Sequence, residues 1–112
     1  MRVPVQISFD GVDSSESLAQ RIRLRVAKLE RFCPDIIGCR VTIGKNRQSS
    51  TTRSHKGEPY HVSIDVSVPG DSLVVRRDPE HGDEAHDVSL VLHHAFDTMG
   101  RKVKDYAGRR RS

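Results

Sequence analysis

The sequence is poor in aromatic residues: it has no Trp, three Phe and two Tyr among 112 residues. It also lacks an apolar run of 18 residues, which excludes a membrane-spanning helix. The first residues alternate polar and apolar side chains and show no signal-peptide core, so we expect a cytoplasmic protein. Its two cysteines, Cys33 and Cys39, are spaced neither as a C-x-x-C motif nor as half of a zinc site. We expect two reduced thiols, with a disulfide across the intervening turn as the alternative.

Sequence motifs typical of catalytic sites are absent as well. There is no nucleophile elbow, no H-E-x-x-H and no phosphate-cradling glycine loop. His93 and His94 are adjacent and point in different directions on a helix, which does not favour a metal site. The carboxylate pair Asp83 and Glu84 suits a helix N-terminus, where the helix dipole favours anions. We therefore expect no enzyme activity, no metal, no cofactor and no small-molecule substrate.

Four segments alternate apolar and polar residues, which is typical of strands with one buried face. They are Val3 to Phe9, Ile37 to Ile43, Tyr60 to Val68 and Leu73 to Arg77. Pro4 favours an edge position or a strand start for the first segment. Pro69-Gly70-Asp71 predicts a hairpin turn between the last two.

Two other segments carry apolar residues at helical spacing. The first covers residues 16–32, with an N-cap offered by Asp13, Ser14 or Ser15 and a stop at Pro34. The second runs from about Asp83 to Tyr106, and Gly108 is predicted to end it. The apolar stripe of the second helix consists of Val88, Leu92, Ala95, Met99, Val103 and Tyr106.

The order of elements is β-α-β-β-β-α. Because each strand has one polar face, both amphipathic helices must pack on the same side of one sheet. We expect a two-layer α+β fold with a four-stranded, mostly antiparallel sheet and the two helices on one face. This domain covers residues 1–107 and includes a flexible polar loop at 45–57, and residues 108–112 form a short basic tail. The solvent face of the sheet should show Gln6, Ser8, Arg40, Thr42, His61, Ser63, Asp65 and Ser67.

The net charge is only +4, but cations concentrate on the first helix. At about 100° per residue, Arg21, Arg25 and Lys28 fall within roughly one-sixth of its circumference, beside the apolar stripe. They should border the groove between the helices. On the second helix, Lys102 lies beside the apolar stripe on the edge away from Lys104, while Arg101 and Lys104 sit farther toward solvent. Such a row suits a polyanion, although basic stems also cover apolar edges without binding anything.

The positions of the aromatic residues indicate which surface of the protein could contact a nucleic acid. RNA-recognition motifs stack bases on sheet aromatics, but all five aromatic residues here occupy apolar positions of their elements. They are Phe9, Phe32, Tyr60, Phe96 and Tyr106. Any nucleic acid should therefore meet helix faces and loops through phosphate and ribose contacts, as in recognition of double-stranded RNA by shape.

Three segments resemble the ribosome hibernation-promoting factor / ribosome-associated inhibitor (protein Y) family. Residues 25–32, Arg-Val-Ala-Lys-Leu-Glu-Arg-Phe, are similar to the family's basic first-helix segment. The strand–turn–strand from Tyr60 to Val75 resembles its central hairpin. Asp87, Leu92 and the run from Ala95 to Val103 resemble its second helix. The resemblance covers nearly the whole chain in the same order of elements.

This resemblance implies a fold related to double-stranded RNA-binding domains. It also implies binding to the RNA of the small ribosomal subunit, in the channel for mRNA and tRNA, and silencing of idle ribosomes by steric block. By position, the RNA contacts would be Arg25, Lys28, Arg31, Arg101 and Lys102; the helix geometry adds Arg21 and Lys104. The alternative is a regulatory protein-interaction module on the same fold, with loop 45–57 or the acidic segment 78–84 as its contact.

Overall fold

The computed structural model describes residues 3–45, 59–79 and 82–111 of the chain. The predicted loop 45–57 lies outside these residues except for Lys45, and so does Ser112 of the predicted tail. The elements in chain order are β1 (Gln6–Asp10), α1 (Glu16–Phe32), β2 (Gly38–Lys45), β3 (Tyr60–Val68), β4 (Asp71–Arg77), α2 (Gly82–Ala85) and α3 (Val88–Arg111). The predicted element order is confirmed, with the short α2 added before the last helix.

The four strands form one mixed sheet in the order β1-β2-β3-β4. β1 pairs with β2 in parallel, whereas the β2/β3 and β3/β4 pairs are antiparallel. The predicted hairpin turn is present at Pro69 and Gly70, where Gly70 has a φ of 80°, a conformation that favours glycine. β1 is an edge strand, as Pro4 suggested, but it begins at Gln6 and not at Val3. Val3 is held to the sheet by a hydrogen bond from its N–H to the Ile37 carbonyl at 3.1 Å.

The alternation of residues along the strands builds the core. Val62, Ile64, Val66 and Val68 of β3 are buried, while the residues between them are only half-buried. α3 packs on β3 and β4, and α1 packs beside α3, so both long helices share one core with the inner face of the sheet. Gln6, Ser8 and Arg40 are exposed on the other face. Cys33 and Cys39 are both free and buried within the core, so the expectation of reduced thiols is confirmed.

α1 has the predicted bounds. The side chain of Ser15 caps it by accepting a hydrogen bond from the Leu18 N–H at 3.2 Å. Ile22, Val26 and Leu29 are buried on its inner side. This phase leaves Arg25 half-buried and Lys28 exposed at the border of the core.

The second predicted helix is wrong at both ends. A single helix from Asp83 is interrupted after Ala85, and α3 starts at Val88. The interruption has a local cause: the Asp87 carboxylate accepts hydrogen bonds from the N–H groups of Ser89 and Leu90, at 3.1 and 3.2 Å, and so caps α3.

Gly108 does not end the helix either, because α3 continues to Arg111. Tyr106 and Ala107 are buried against the core just before this glycine. Arg110 lies after it and donates to the Asp35 carboxylate at 3.2 Å. These tertiary contacts on both sides of Gly108 hold its backbone in the helix.

Candidate nucleic-acid interface

The long helices leave a shallow groove between them, which we call the α1/α3 groove. It has a volume of about 160 Å³. Its lining residues are Arg25, Lys28, Leu29 and Phe32 from α1 and Phe96, Asp97, Gly100, Arg101 and Lys104 from α3. The i, i+3 and i, i+4 spacings place each set along one side of its helix. Four cations face one carboxylate, which leaves a formal charge of +3 on the groove.

Two of these cations lie over aromatic rings. Lys104 Nζ is 4.4 Å from the centre of the Phe32 ring, and Arg25 Cζ is 6.0 Å from the centre of the Phe96 ring. A ring face attracts a cation without neutralising its charge. The rings therefore hold the two cations over the groove and leave their charge available to an anion.

The one carboxylate of the groove is already engaged. Asp97 accepts a hydrogen bond from Arg101 at 3.3 Å, one helical turn away. The side chains are 69% and 59% exposed, so the ion pair is screened by water and salt. A phosphate could compete for Arg101 at little cost.

Two cations of α1 also contact side chains of α3. Arg21 Nη1 donates to the Ser89 hydroxyl at 2.8 Å, and Arg25 Nη2 lies 3.1 Å from His93 Nδ1. Sequence reasoning missed Ser89 and His93, because a periodicity gives the face of one helix but not the partner across the groove.

The predicted contact residues separate into groups. Arg25, Lys28, Arg101 and Lys104 come together in the α1/α3 groove, and Arg21 lies one turn before Arg25 on α1. Arg31 lines a neighbouring cleft with Asp35 and Arg110.

Lys102 does not line the α1/α3 groove. It is two residues from Lys104 and so about 160° away around the helix. The expectation that Arg101 and Lys104 lie away from the groove is wrong, because α1 packs along their side of α3.

Glu84 belongs to the acidic segment 78–84, but its carboxylate is bound within the protein. Arg77 donates to it twice, at 2.7 and 2.8 Å, and His94 Nδ1 lies 3.0 Å from it. The hydrogen bonds from Arg77, aided by His94, lower the pKa of Glu84 from 4.5 to about 2 despite partial desolvation. The acidic segment therefore contributes this carboxylate to internal packing and not to an external contact.

The Cys39 thiol is also unsuited to chemistry. Burial, with a smaller effect of the Asp65 charge, raises its pKa from 9.0 to about 12. Among the residues that the structure describes, no group of three or more His, Cys, Asp or Glu could hold a metal ion. Within residues 3–45, 59–79 and 82–111, no helix has the length and apolar character needed to span a membrane.

Comparison with known proteins gives a consistent family and fold. The family model described as Sigma 54 modulation protein / S30EA ribosomal protein matches residues 5–111. The N-terminal domain of Protein Y from Thermus thermophilus superposes with a TM-score of 0.67 at 14% identity, over 93% of this chain and 99% of that one. A ribosomal subunit interface protein from Coxiella burnetii superposes with a TM-score of 0.54 at 16% identity, over 97% and 98% of the two chains. No curated protein matches significantly in sequence.

Proposed function

The chain belongs to the Sigma 54 modulation protein / S30EA ribosomal protein family, and we propose that it binds the RNA of the small ribosomal subunit and inhibits translation by steric block. The family consists of ribosome-associated factors and is not a known enzyme family. On the small subunit, the protein would occupy the channel for mRNA and tRNA, as the family resemblance implies. The partner is the small subunit with its ribosomal RNA, and no cofactor takes part.

The observation that carries this proposal is the arrangement of cations in the α1/α3 groove. Arg25 and Lys28 come from one helix, and Arg101 and Lys104 from the other. Their charges converge on a groove whose single carboxylate is already paired. Contacts of this kind bind phosphates independently of base identity and release counterions from the nucleic acid.

The other predicted cations extend this surface. Arg21 lies on α1 at one end of the groove, and Arg31 lies beyond the other end, in the cleft with Arg110. Together with the groove they form a basic row along α1. Lys102 stands apart from this row, so we assign it the smallest contribution among the seven predicted residues.

The test is salt-dependent binding to purified small subunits. Arg25→Ala, Lys28→Ala and Lys104→Ala should each weaken binding, and each lost phosphate contact should reduce the slope of log affinity against log salt by about 0.9 or less. Arg23→Ala is the matched control, because Arg23 lies on the same helix but pairs with Glu16 at 3.3 Å and does not line the groove. Binding by the groove variants that equals the native protein at every salt concentration would refute the proposal.

The steric part of the proposal has its own readout. A subunit that already holds mRNA and tRNA in its channel should exclude the protein, and the protein should in turn exclude mRNA and tRNA. Simultaneous binding would place the protein elsewhere on the subunit. Capture of a partner protein from extract depleted of ribosomes, without subunit binding, would instead favour the regulatory-module alternative.

A further inference from the structure

We propose that Arg25 and His93 form a proton-linked phosphate clamp at the α1/α3 groove. Binding of an RNA phosphate would protonate the His93 imidazole, which would then donate to the phosphate together with the Arg25 guanidinium. This inference deepens the proposed function and rests on RNA being the ligand of the groove. It adds His93 to the RNA contacts and makes the affinity depend on pH.

The resting contact defines the starting state of the clamp. Arg25 Nη2 and His93 Nδ1 are 3.1 Å apart. A guanidinium has only donors and does not lose its proton in proteins, so Arg25 is the donor and Nδ1 must carry a lone pair. The imidazole is therefore neutral while this hydrogen bond is made.

Protonation of His93 would make its contact with Arg25 repulsive instead of attractive. An imidazolium has N–H donors on both ring nitrogens, so the two side chains would present donors and like charges to each other. An anion between them removes the conflict, because phosphate oxygens accept hydrogen bonds from both groups. The balance is one proton taken from solvent for each phosphate bound, and no covalent bond changes.

The neighbouring charges favour this role. From α1, His93 faces Arg25, with Arg21 and Lys28 one turn away on either side. On α3 itself, the His94 ring is 5.5 Å away, and Asp97, one turn on, is paired with Arg101. Glu84 of α2, which lies next to His94, is bound by Arg77 and His94.

Both carboxylates thus already have cationic or histidine partners, and the side chain that contacts His93 from α1 is the cation Arg25. An imidazolium at this position needs an anion, and a phosphate supplies it. His93 does not itself line the groove, but it contacts Arg25, which does. Its side chain is exposed, so an RNA strand in the groove can reach it. Histidine is also the side chain that ordinarily changes charge between pH 5 and 8.

The experiment measures affinity for small subunits between about pH 6 and pH 8 at constant ionic strength. Native protein should bind more tightly as the pH falls, by up to about tenfold per pH unit, the limit for uptake of one proton. His93→Gln should bind with a flat response, because a carboxamide can accept from Arg25 but does not titrate in this range. His86→Gln is the control, since His86 is exposed on the turn between α2 and α3, outside the groove; it should keep the native response.

A second readout separates failure of the clamp from failure of the proposed function. The protonation state of the His93 ring is followed by NMR at neutral pH while a short RNA duplex is added. Subunit binding with an unchanged ring, or a pH response that survives in His93→Gln, overturns the clamp alone. Protonation of the ring by the duplex without any binding to subunits supports the clamp and overturns the ribosomal target.

Discussion

At the scale of single residues, the carboxylate of Glu84 links three elements of the fold: α2, β4 and α3. It receives both donors of Arg77 from β4 and lies beside His94 from α3, while its own backbone forms α2. Bidentate arginine–carboxylate pairs are stronger than single hydrogen bonds between neutral groups. From the sequence, Glu84 was assigned to a helix N-terminus; its ion pair depends on where β4 and α3 come together, which no local pattern specifies.

Replacement of this residue should change both stability and its dependence on pH. The pKa of Glu84 is lowered to about 2, so its contribution is complete above the unfolded pKa of about 4.3 and is lost as the pH falls toward 2. Glu84→Gln should lower the free energy of unfolding at pH 7 by about 1 to 2 kcal/mol, after allowance for the partial exposure of Arg77. The difference from the native protein should shrink below about pH 4.3.

Urea unfolding measured across this pH range checks the expectation. Glu16→Gln is the control, because Glu16 forms an exposed ion pair with Arg23 and should change stability little at any pH. A Glu84→Gln deficit that stays constant down to pH 2 would mean that its cause is packing and not the charge of the carboxylate.

The candidate site could be predicted in part at this scale. Helical periodicity brought Arg25 and Lys28 to the border of the groove, and the structure has them there. It could not assign Lys104 to the groove, because the side of α3 that faces α1 depends on how the helices pack across the sheet. The Arg25–His93 contact could not be predicted from the sequence for the same reason. Whether these residues bind RNA stays a prediction.

At the scale of elements, the departures from the predicted helices have local causes. Hydrophobic spacing continues from Ala85 into α3, so the apolar pattern alone does not reveal a break. Asp87 carried the missed signal: an aspartate is a strong N-cap, and it stands immediately before the first residue of α3. At Gly108 the prediction is wrong in the opposite sense. The glycine predicts a helix end, but tertiary contacts on either side of it keep the chain helical.

Loss of the cap should be measurable by itself. Asp87→Ala removes the acceptor for the N–H groups of Ser89 and Leu90 and should destabilise the protein by about 1 kcal/mol. Asp87→Ser supplies a hydroxyl that can also cap a helix, so it should recover most of this loss. Chemical denaturation distinguishes the two variants; equal stability of Asp87→Ala and the native protein would show that tertiary packing alone sets the start of α3.

At the scale of the whole molecule, the strand alternation and the two apolar stripes were enough to predict the layers. Strands with one polar face leave only one side of the sheet for both helices, and the structure has both helices on that side. The same division places the cationic groove on the helical side. The parallel pairing of β1 with β2 follows from the α1 crossover, because a connection through a helix returns the chain in the same direction.

That parallel pairing also leads us to expect that β1 opens more easily than the other strands. Gln6 is paired with Arg40, 34 residues later, whereas β2, β3 and β4 follow one another in antiparallel pairs. Joining β1 therefore requires closure of a chain segment that contains all of α1, and its five residues are half-buried or exposed. Native-state hydrogen exchange should find the β1 amides opening well before those of β3, with equal protection of the two strands as the contrary result. The β1 edge of the sheet would then detach and rejoin while α3 stays folded over β3 and β4.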